Sequence, residues 1–513
     1  MTIGPEPAAA RTASRTAMLT ATLTATLTAA LEHAGLLVET RGALPSTVVA
    51  ITDDSRDAVP GAVFVAVRGV AIDGHAFLTA ARAAGASLVV VEDAAAATDL
   101  ALPMIVVRNG RRAAAVLAAA FYGDPGARLS LVGVTGTNGK TTTTGMIRHL
   151  LHEPTAPGAS IGTLGVLLGS EGTPLSGGRD LTTPGPIELQ RLLRTLADRG
   201  VQHVVMEVSS HALHQGRVDG LRFDAVVFTN LTRDHLDYHQ TMEEYFAAKA
   251  QLLAHLAPAG VAVRNADDPA WAALTGAAAW RSYGVHDTSA DLVARDVQFD
   301  ARGSRWTLAT RTATAVVRLP LIGDFNVANA LAAAAVALAL GHSIDDIAAK
   351  LGTMPQVPGR LEIIAEHPTV LRDYAHTPDA LERALMALRP SVRGRLIVVF
   401  GAGGDRDRGK RPLMGRVAAE HADVLVVTSD NPRTEDPEAI ISDIVAPLAA
   451  ERYERIEDRR AAIRRAVALA DPARDVVLLA GKGHETYQIR GTAKVPFDER
   501  DVVREVMREV TAQ

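Results

Sequence analysis

Short apolar runs alternate with longer amphipathic stretches along most of the chain, and this alternation predicts strands separated by helices. The predicted strands lie at 48–51, 63–67, 88–91, 104–107, 204–208, 225–229, 261–265, 396–400, 424–428 and 476–480. A further apolar run at 129–132 precedes a helix-like segment at 146–151. Strands that alternate with helices form mainly parallel sheets with right-handed crossovers, so the pattern predicts an α/β protein.

Clusters of Pro and Gly divide this alternation into three α/β segments. Asp124-Pro125-Gly126 ends the first segment, and the third begins near the Pro-rich stretch at 354–359. We therefore predict a first domain over 41–126, a central domain over 127–355 and a last domain over 356–513.

An N-terminal extension and a helix are predicted over 1–40. Residues 1–17 are rich in Ala, Thr and Pro, a composition typical of disordered segments. Four leucines then follow at four-residue spacing, and they are Leu19, Leu23, Leu27 and Leu31. This spacing predicts one stripe of a helix that ends at Gly35.

Composition narrows the functional classes. The 513 residues carry a net charge of −5 and no cysteine. The charge gives no indication of a nucleic-acid or anionic-membrane partner, and the lack of cysteine excludes disulfides, thiolate zinc sites and thiol nucleophiles. The longest apolar run, 328–340, contains Asn329 and is too short to span a bilayer. We expect a cytoplasmic protein without membrane insertion.

A glycine-rich stretch from Gly133 to Thr141 lies between a predicted strand and a predicted helix. Glycines let backbone N–H groups face an anion, and a helix N-terminus adds its positive dipole end. Lys140 is expected to reach the outer phosphates and Thr141 to ligate Mg²⁺. Val134 occupies the place of the first glycine in the usual phosphate loop. The stretch nevertheless predicts binding of a nucleoside triphosphate.

Three loops of the last segment combine Arg, Asp and Glu, and each follows a predicted strand. They are 401–410, 430–435 and 481–485. Parallel sheets bind ligands beyond the carboxyl ends of their strands, so these loops predict one site with both signs of charge. A free amino acid suits such a site, because Arg binds carboxylate while Asp and Glu accept from ammonium. A dinucleotide fingerprint is excluded, because Arg406 stands where its third glycine would fall.

Polar residues also follow two strands of the central segment. Glu207 ends an apolar strand next to the phosphate loop, where a second Mg²⁺ ligand is expected. The stretch 228–239 brings two His and two Asp together and indicates a metal or phosphate role. Lys249 lies in a helix-like stretch, and periodicity alone predicts a surface lysine.

Four motifs in this order resemble those of the Mur ligases, ATP-dependent enzymes that form amide bonds in bacterial cell-wall synthesis. The motifs are 133–144, 206–211, 230–239 and 373–378, and the resemblance extends over about residues 45–500. It implies a small N-terminal α/β UDP-binding domain, a central P-loop ATPase-like domain and a C-terminal Rossmann-like domain. Asp54-Ser55-Arg56, Thr182-Thr183-Pro184 and the 430–433 loop resemble the family member that adds the third amino acid of the peptide.

The resemblance also implies a role for each matching position. ATP would be bound by residues of the phosphate loop and the last domain, namely Gly136, Thr137, Asn138, Gly139, Lys140, Thr141, Thr142, Arg360, Asp373 and His376. The UDP-linked substrate would be bound by Ser55, Thr182, Thr183, Ser209, Gln215 and Arg217. The incoming amino acid would be bound by Arg406, Asp430, Asn431, Arg433, Gly481 and Glu485. The implied catalytic residues are Lys140, Glu207, His235 and Lys249. Mg²⁺ would be held by Thr141, Glu207, His235 and Lys249, the last as a carbamate (N6-carboxylysine).

The implied reaction joins meso-diaminopimelate to UDP-N-acetylmuramoyl-L-alanyl-D-glutamate through an acyl phosphate, with ATP and Mg²⁺. Arg433 favours diaminopimelate over L-lysine, because lysine has no second carboxylate to pair with it. We expect a monomer whose last domain closes during turnover. Three alternatives stay open: the same ligase with L-lysine or another diamino acid, a folylpolyglutamate synthetase-like ligase, and a nucleotide-dependent switch.

Overall fold

A computed structural model of the chain describes residues 22–69, 72–178, 181–300 and 302–511. The disorder predicted for 1–17 and the position of Leu19 in the helical stripe lie outside these ranges. The described chain folds around three main sheets, which follow one another along the sequence. The predicted α/β class is confirmed.

The first sheet is small and mixed. Its part of the chain contains the strands β1 (Thr22–Leu23), β2 (Leu37–Arg41), β3 (Thr47–Val48), β4 (Ala50–Thr52), β5 (Ala62–Val65), β6 (Leu88–Val91) and β7 (Met104–Val107). The helices are α1 (Thr24–His33), α2 (Leu78–Ala83) and α3 (Gly110–Tyr122). The sheet order is β2-β7-β6-β5-β4, in which β2 is antiparallel to β7 and the other pairs are parallel. β1 pairs separately with β3.

The predicted leucine stripe is correct at two positions and wrong at a third. Leu27 and Leu31 are fully buried on α1 and belong to the core of the first sheet. Leu23 lies instead in β1 and is 58% exposed. The pairing of Leu23 with Thr47 gives this residue an extended backbone, so tertiary pairing overrides the helical spacing.

The central part of the chain forms an eleven-stranded sheet. Its strands are β8 (Ser130–Thr135), β9 (Gly158–Gly162), β10 (Gly165–Leu168), β11 (Thr173–Leu175), β12 (His203–Glu207), β13 (Phe223–Phe228), β14 (Leu256–Asn265), β15 (Ala279–Gly284), β16 (Leu292–Asp300), β17 (Gly303–Ala309) and β18 (Thr314–Leu319). Its helices are α4 (Lys140–Leu151), α5 (Pro186–Asp198), α6 (Ser210–His214), α7 (Leu236–His239), α8 (Met242–Ala250), α9 (Asp324–Ala339) and α10 (Ile344–Leu351).

The middle of this sheet is parallel and its two edges are antiparallel. The order is β11-β10-β9-β12-β8-β13-β14-β15-β16-β17-β18. β8 lies between β12 and β13, parallel to both, so the residues that follow these three strands meet at one edge. The Ala-rich helix α9 packs with α4 in one core cluster on this sheet. This arrangement places the phosphate loop next to Glu207 and the 228–239 stretch.

The last part of the chain forms a six-stranded sheet and a separate hairpin. The strands are β19 (Glu362–Glu366), β20 (Thr369–Asp373), β21 (Leu396–Phe400), β22 (Val424–Val427), β23 (Glu454–Arg455), β24 (Val476–Ala480), β25 (Tyr487–Arg490) and β26 (Ala493–Pro496). The helices are α11 (Pro378–Leu388), α12 (Lys410–His421), α13 (Pro437–Val445), α14 (Arg459–Leu469) and α15 (Glu499–Thr511). The sheet order is β19-β20-β24-β21-β22-β23, parallel except for β19, and β25 pairs with β26.

Buried strands of this sheet agree closely with the apolar runs of the sequence. β21 and β24 have the predicted bounds, and β22 ends one residue early at Val427. In the central sheet β14 begins at Leu256 rather than at Val261. Within the described ranges, every helix is too short or too polar to cross a lipid bilayer.

Candidate active site

The phosphate loop joins β8 to α4 through two glycines with positive φ. Gly136 has φ 147° and Gly139 has φ 84°, a backbone region that residues with a Cβ rarely adopt. A Cβ on Gly136 would lie 1.8 Å from Thr229 Oγ1, and one on Gly139 would lie 2.5 Å from Asn329 Oδ1. The glycines therefore permit both the turn and the close packing of neighbouring polar side chains.

Asn230 fixes the loop from the adjacent strand end. Its carbonyl accepts from Thr137 N at 2.7 Å, and its Oδ1 accepts from Asn138 N at 2.8 Å. The Asn138 side chain donates to Asp379 Oδ2 of α11 at 3.1 Å. The loop thus contacts both the central and the last domain, and Thr142 lies in the first turn of α4, where helical N–H groups have no partner within the helix.

Lys140 folds back over the loop. Its Nζ donates to the carbonyl oxygens of Gly136 and Thr137, each at 2.9 Å. Burial lowers the pKa of Lys140, while Glu207 and Asp234 act in the opposite direction. The two hydrogen bonds place the amino group of Lys140 at the centre of the loop, where phosphate oxygens would displace the carbonyl contacts.

Hydroxyl and carboxylate oxygens gather beside the start of α4. Glu207 is buried, and its Oε2 accepts from Thr141 Oγ1 and from Thr163 Oγ1, each at 3.1 Å. Arg360 of the last domain donates to Thr141 Oγ1 at 3.2 Å. Such oxygen donors suit Mg²⁺, which usually takes one or two carboxylates together with phosphate oxygens and water. Among the described residues no group of three or more His, Asp or Glu forms a metal-ligand set.

Lys249 is not a surface lysine, so the periodicity-based prediction is wrong. The residue is 1% exposed, and its Nζ donates to Gly136 O at 2.8 Å. The ammonium also lies 4.4 Å from the centre of the Tyr245 ring. Burial lowers the pKa of Lys249 well below its ordinary value, and the charge of Lys140 lowers it further. α8 therefore presents this amine to the phosphate loop.

His235 belongs to a cluster of aromatic rings beside the loop. Its ring centre lies 4.8 Å from that of His211, which in turn lies 5.4 Å from that of His239. Burial lowers the pKa of His211 and of His239 to about 4, so both are neutral near pH 7. Burial also lowers the pKa of His235. The positive charges of Lys140 and Lys249 lower this pKa further, and the carboxylate of Asp234 raises it.

The residues predicted to hold the muramoyl-peptide part of the substrate lie together. Thr183 Oγ1 donates to the Glu207 carbonyl at 2.8 Å and accepts from Ser209 N at 3.0 Å. Arg217 donates to Thr183 O at 2.9 Å and to Gln215 Oε1 at 2.7 Å. Thr182 reaches the oxygen cluster beside α4, since its Oγ1 lies 3.3 Å from Thr163 Oγ1. One polar wall therefore extends from Glu207 to Arg217.

Ser55 lies apart from this wall, in the first domain between β4 and β5. It begins a 3-10 turn, Ser55–Asp57, which the Asp54 side chain caps by accepting from Arg56 N at 2.9 Å. Asp73 caps a second turn of the same domain and lies 2.6 Å from His75 Nδ1. These contacts explain the local structure of both turns and do not join them to the phosphate loop.

Arg360, Asp373 and His376 line the side of the last domain that faces the loop. Asp373 Oδ2 accepts from Leu361 N at 2.7 Å, and burial raises the pKa of Asp373 to about 6. The Arg360 guanidinium lies 4.8 Å from the centre of the Tyr374 ring. His376 is held through its Nδ1, 2.8 Å from Tyr374 O, and burial lowers its pKa.

The three mixed-charge loops converge at the carboxyl ends of β21, β22 and β24. Asn431 donates to Glu485 Oε2 at 2.8 Å, and the buried Lys482 donates to both residues at 3.1 Å. A Cβ on Gly481 would lie 2.4 Å from Asp430 Oδ2, so only glycine permits this approach. The predicted convergence of the second and third loops is therefore present.

Two arginines of this site meet near Gly403, Arg406 from the first loop itself and Arg433 from the second. A Cβ on Gly403 would lie 2.9 Å from Arg433 Nη1 and 3.9 Å from Arg406 Cγ. Arg433 donates to Gly404 O at 2.7 Å, and the more exposed Arg406 donates to Asp405 O at 3.0 Å. The Arg433 guanidinium and the Arg406 aliphatic chain thus both pack against Gly403.

A cavity of about 630 Å³ lies between the start of α4 and the last domain. Its lining includes Thr141 and Glu207 from the phosphate side, Thr182 from the substrate wall and Glu485 from the last domain. The start of α4 and the third mixed-charge loop therefore open onto one space between two domains.

Several polar residues of this region were not predicted from the sequence. They are Thr163, Asn329, Asp379 and Lys482. Asn329 accepts from Thr143 Oγ1 at 3.2 Å and packs against Gly139. Its only sequence signal was a polar interruption of the apolar run that forms α9.

A phosphate loop that faces a second, mixed-charge site across one cavity defines the class of an ATP-dependent ligase. Family models agree over most of the chain. "Mur ligase family, catalytic domain" matches residues 47–122, "Mur ligase middle domain" matches 134–337, and "Mur ligase, glutamate ligase domain" matches 359–483. The chain belongs to the Mur ligase family.

Relatives with curated names cover nearly the whole chain. The chain is 46% identical over 475 residues to UDP-N-acetylmuramoyl-L-alanyl-D-glutamate--2,6-diaminopimelate ligase of Geobacillus kaustophilus, covering 90% of this chain and 95% of the relative. It is 47% identical over 477 residues to the protein of the same name from Gloeobacter violaceus, covering 92% and 96%. A solved structure with this name superposes with a TM-score of 0.65 at 33% identity, covering 92% of this chain and 98% of that one.

Proposed function

We propose that this protein uses ATP to join 2,6-diaminopimelate, as the meso isomer, to UDP-N-acetylmuramoyl-L-alanyl-D-glutamate. The observation that carries the proposal is the shared cavity, because Thr141 and Glu207 line one side and Glu485 lines the other. An enzyme that only hydrolysed ATP would have no use for the mixed-charge loops. The names of the relatives at 46–47% identity support the same reaction.

The reaction has two steps. A carboxylate oxygen of the UDP-linked substrate attacks the γ-phosphorus of ATP, the bond to the bridging oxygen breaks, and ADP leaves with that electron pair. The amine of diaminopimelate then attacks the acyl carbon, phosphate leaves, and loss of a proton from nitrogen completes the amide. Both substrates of the first step are anions, so positive charge at the loop lowers the barrier.

Each cluster of the site has a part in this scheme. The first turn of α4 and Lys140 bind the phosphates, while Arg360, Asp373 and His376 close over ATP from the last domain. Thr182, Thr183, Ser209, Gln215 and Arg217 hold the peptide part of the UDP-linked substrate, and Ser55 binds its nucleotide part in the first domain.

Mg²⁺ fits the oxygen cluster beside α4. Thr141 and Glu207 would hold it, with His235 and a modified Lys249 as further residues of a second site. When bound, Mg²⁺ neutralises charge between the phosphates and the attacking carboxylate.

Lys249 is proposed to carry a carbamate. Its buried amine has a lowered pKa, and a neutral amine is the form that adds to CO₂. The product is an anion, which the positive charge of Lys140 stabilises. ¹³C-labelled bicarbonate should give a carbamate resonance in the wild type, and the Lys249→Arg variant should lack it.

The test of the function is phosphate release from ATP with each substrate omitted in turn. We expect release that requires both the UDP-linked dipeptide and diaminopimelate, with a tripeptide product seen by mass spectrometry. If L-lysine is used equally well or better, L-lysine takes the place of diaminopimelate as the proposed substrate. Release without either substrate would favour a nucleotide-dependent switch, and use of a folate in place of the UDP-linked substrate would favour a folylpolyglutamate synthetase-like ligase.

Two further properties belong to this proposal. We propose that the protein acts in the cytoplasm, where ATP is available, and that it acts as a monomer. Light scattering coupled to size-exclusion chromatography at the enzyme's assay concentration tests the second statement, with a mass of 54.0 kDa expected.

A further inference from the structure

The β25–β26 hairpin lies outside the six-stranded sheet and docks on the 430–433 loop. Gln488 Nε2 donates to Asp430 O at 2.6 Å, and Ile489 N donates to Asn431 Oδ1 at 2.9 Å. Arg433 then makes two backbone contacts with the hairpin. Its N–H donates to Ile489 O at 3.0 Å, and its carbonyl accepts from Gly491 N at 2.7 Å. Gln488, Ile489 and Gly491 therefore hold three residues of the loop.

The conformation of Arg433 requires such support. Its φ is 52°, in the left-handed region, which is unfavourable for a residue with a long side chain. The two backbone hydrogen bonds to the hairpin keep it there. As a result the guanidinium reaches back to Gly404 O and packs against Gly403. The hairpin thus sets the direction of the arginine that faces the incoming amino acid.

Gln488 is the side chain on which this docking depends. It is 3% exposed, and its Oε1 accepts from Arg490 Nε at 3.2 Å, which fixes the orientation of the amide. The NH₂ side of the amide is then directed towards Asp430 O. Loss of this donor would leave a buried carbonyl without its partner, a change that costs about 1–3 kcal/mol.

We propose that the β25–β26 hairpin is the template for amino-acid selection and that Gln488 is a positioning residue for Arg433, Asn431 and Asp430. This inference rests on the proposed function, because it concerns the amino acid that the same site accepts. Gln488 acts through the 430–433 loop, because its side chain hydrogen-bonds to Asp430 and Arg490. The phosphate loop lies on another sheet. Its effect should therefore fall on one substrate of the three.

The variant Gln488→Leu tests the template, since it keeps the size of the side chain and removes the donor. We expect the KM for diaminopimelate to rise about tenfold or more, with KM for ATP and for the UDP-linked dipeptide within about twofold of the wild type. Preference for diaminopimelate over L-lysine should fall, because Arg433 loses its fixed direction. Gln488→Glu should behave like Gln488→Leu, because a carboxylate cannot donate to Asp430 O.

Val495 provides the matched control. It is the cross-strand partner of Gln488 in the hairpin and is 43% exposed, so Val495→Thr should leave all three KM values unchanged. If Gln488→Leu does not fold, Gln488→Met gives the same readout with an unbranched side chain. Failure of both variants to fold would overturn the selective role, as would a parallel rise of all three KM values.

The wild-type protein in the same assay separates this inference from the proposed function. A wild type that incorporates no diaminopimelate would overturn the function itself. If the wild type turns over normally and the Gln488→Leu variant has an unchanged KM for diaminopimelate, only the proposed role of the hairpin is overturned.

Discussion

The guanidinium of Arg459 and the carboxylate of Glu499 lie 2.7 Å apart, with both side chains fully excluded from solvent. Arg459 also donates to Ala480 O at 2.9 Å and, at the longer distance of 3.5 Å, to Ser429 O. These carbonyls immediately precede Gly481 and Asp430. A single buried ion pair between α14 and α15 therefore ties together the two strand ends that carry the proposed amino-acid site.

Removal of one member of this pair should be far more damaging than removal of both. Arg459→Met leaves the Glu499 carboxylate buried without its partner, and we expect a loss of about 3–5 kcal/mol in the free energy of unfolding. Arg459→Met combined with Glu499→Leu should lose less than the single variant, because no uncompensated charge remains. Denaturant unfolding of the wild type and the two variants measures this. Additive losses in the double variant would contradict it.

The sequence predicts the elements of this protein better than the contacts between them. Apolar runs locate β21 and β24 because both strands are buried on two faces, and the polar loops that follow them mark the site. The burial of Lys249 could not be predicted from periodicity, because it depends on the packing of α8 against Gly136, which is distant in sequence. Likewise, the support that Gln488 gives to Asp430 comes from a hairpin whose short strands carry no strong periodic pattern.

Arg433 should determine the affinity for the second carboxylate of diaminopimelate. Arg433→Ala removes both the charge and the fork-shaped donor, so we expect KM for diaminopimelate to rise by about 10²-fold while KM for ATP stays unchanged. Arg433→Lys, which retains charge but not the fork, should give an intermediate value. Steady-state kinetics with each substrate varied separately provides the comparison. Unchanged kinetics for diaminopimelate in Arg433→Ala would refute the assignment.

A methyl group added to the phosphate loop should lower both stability and ATP affinity, whereas the same change in the helix that follows should not. Gly139→Ala combines a positive φ with a Cβ placed 2.5 Å from Asn329 Oδ1, and we expect a loss of about 1–3 kcal/mol together with weakened ATP binding. The control is Gly145→Ala on α4, where the nearest atom is Met354 Cε at 3.8 Å. There alanine should be neutral or stabilise by up to about 1 kcal/mol. Thermal unfolding and ATP titration distinguish the two, and equal effects would argue against the tight loop.

Asp373 should make stability depend on pH in a direction opposite to that of most carboxylates. Burial raises its pKa from 3.8 to about 6 in the folded protein, against the opposing effects of Arg360 and of the Leu361 N–H. Because the folded-state pKa lies above the unfolded one, this group's contribution to stability is complete below the unfolded value and is lost as pH rises through about 6. The loss amounts to about 2–3 kcal/mol.

The Asp373→Asn variant isolates this contribution because its side chain stays neutral at every pH. Other groups titrate equally in both proteins, so the difference in unfolding free energy between variant and wild type removes their effects. We expect that difference to shift by about 2–3 kcal/mol in favour of the variant between about pH 4 and about pH 8. Any change in hydrogen bonding to Leu361 N would add an offset that is the same at all pH values. A difference that stays constant over this range would therefore mean that the buried carboxyl ionises at its ordinary pKa.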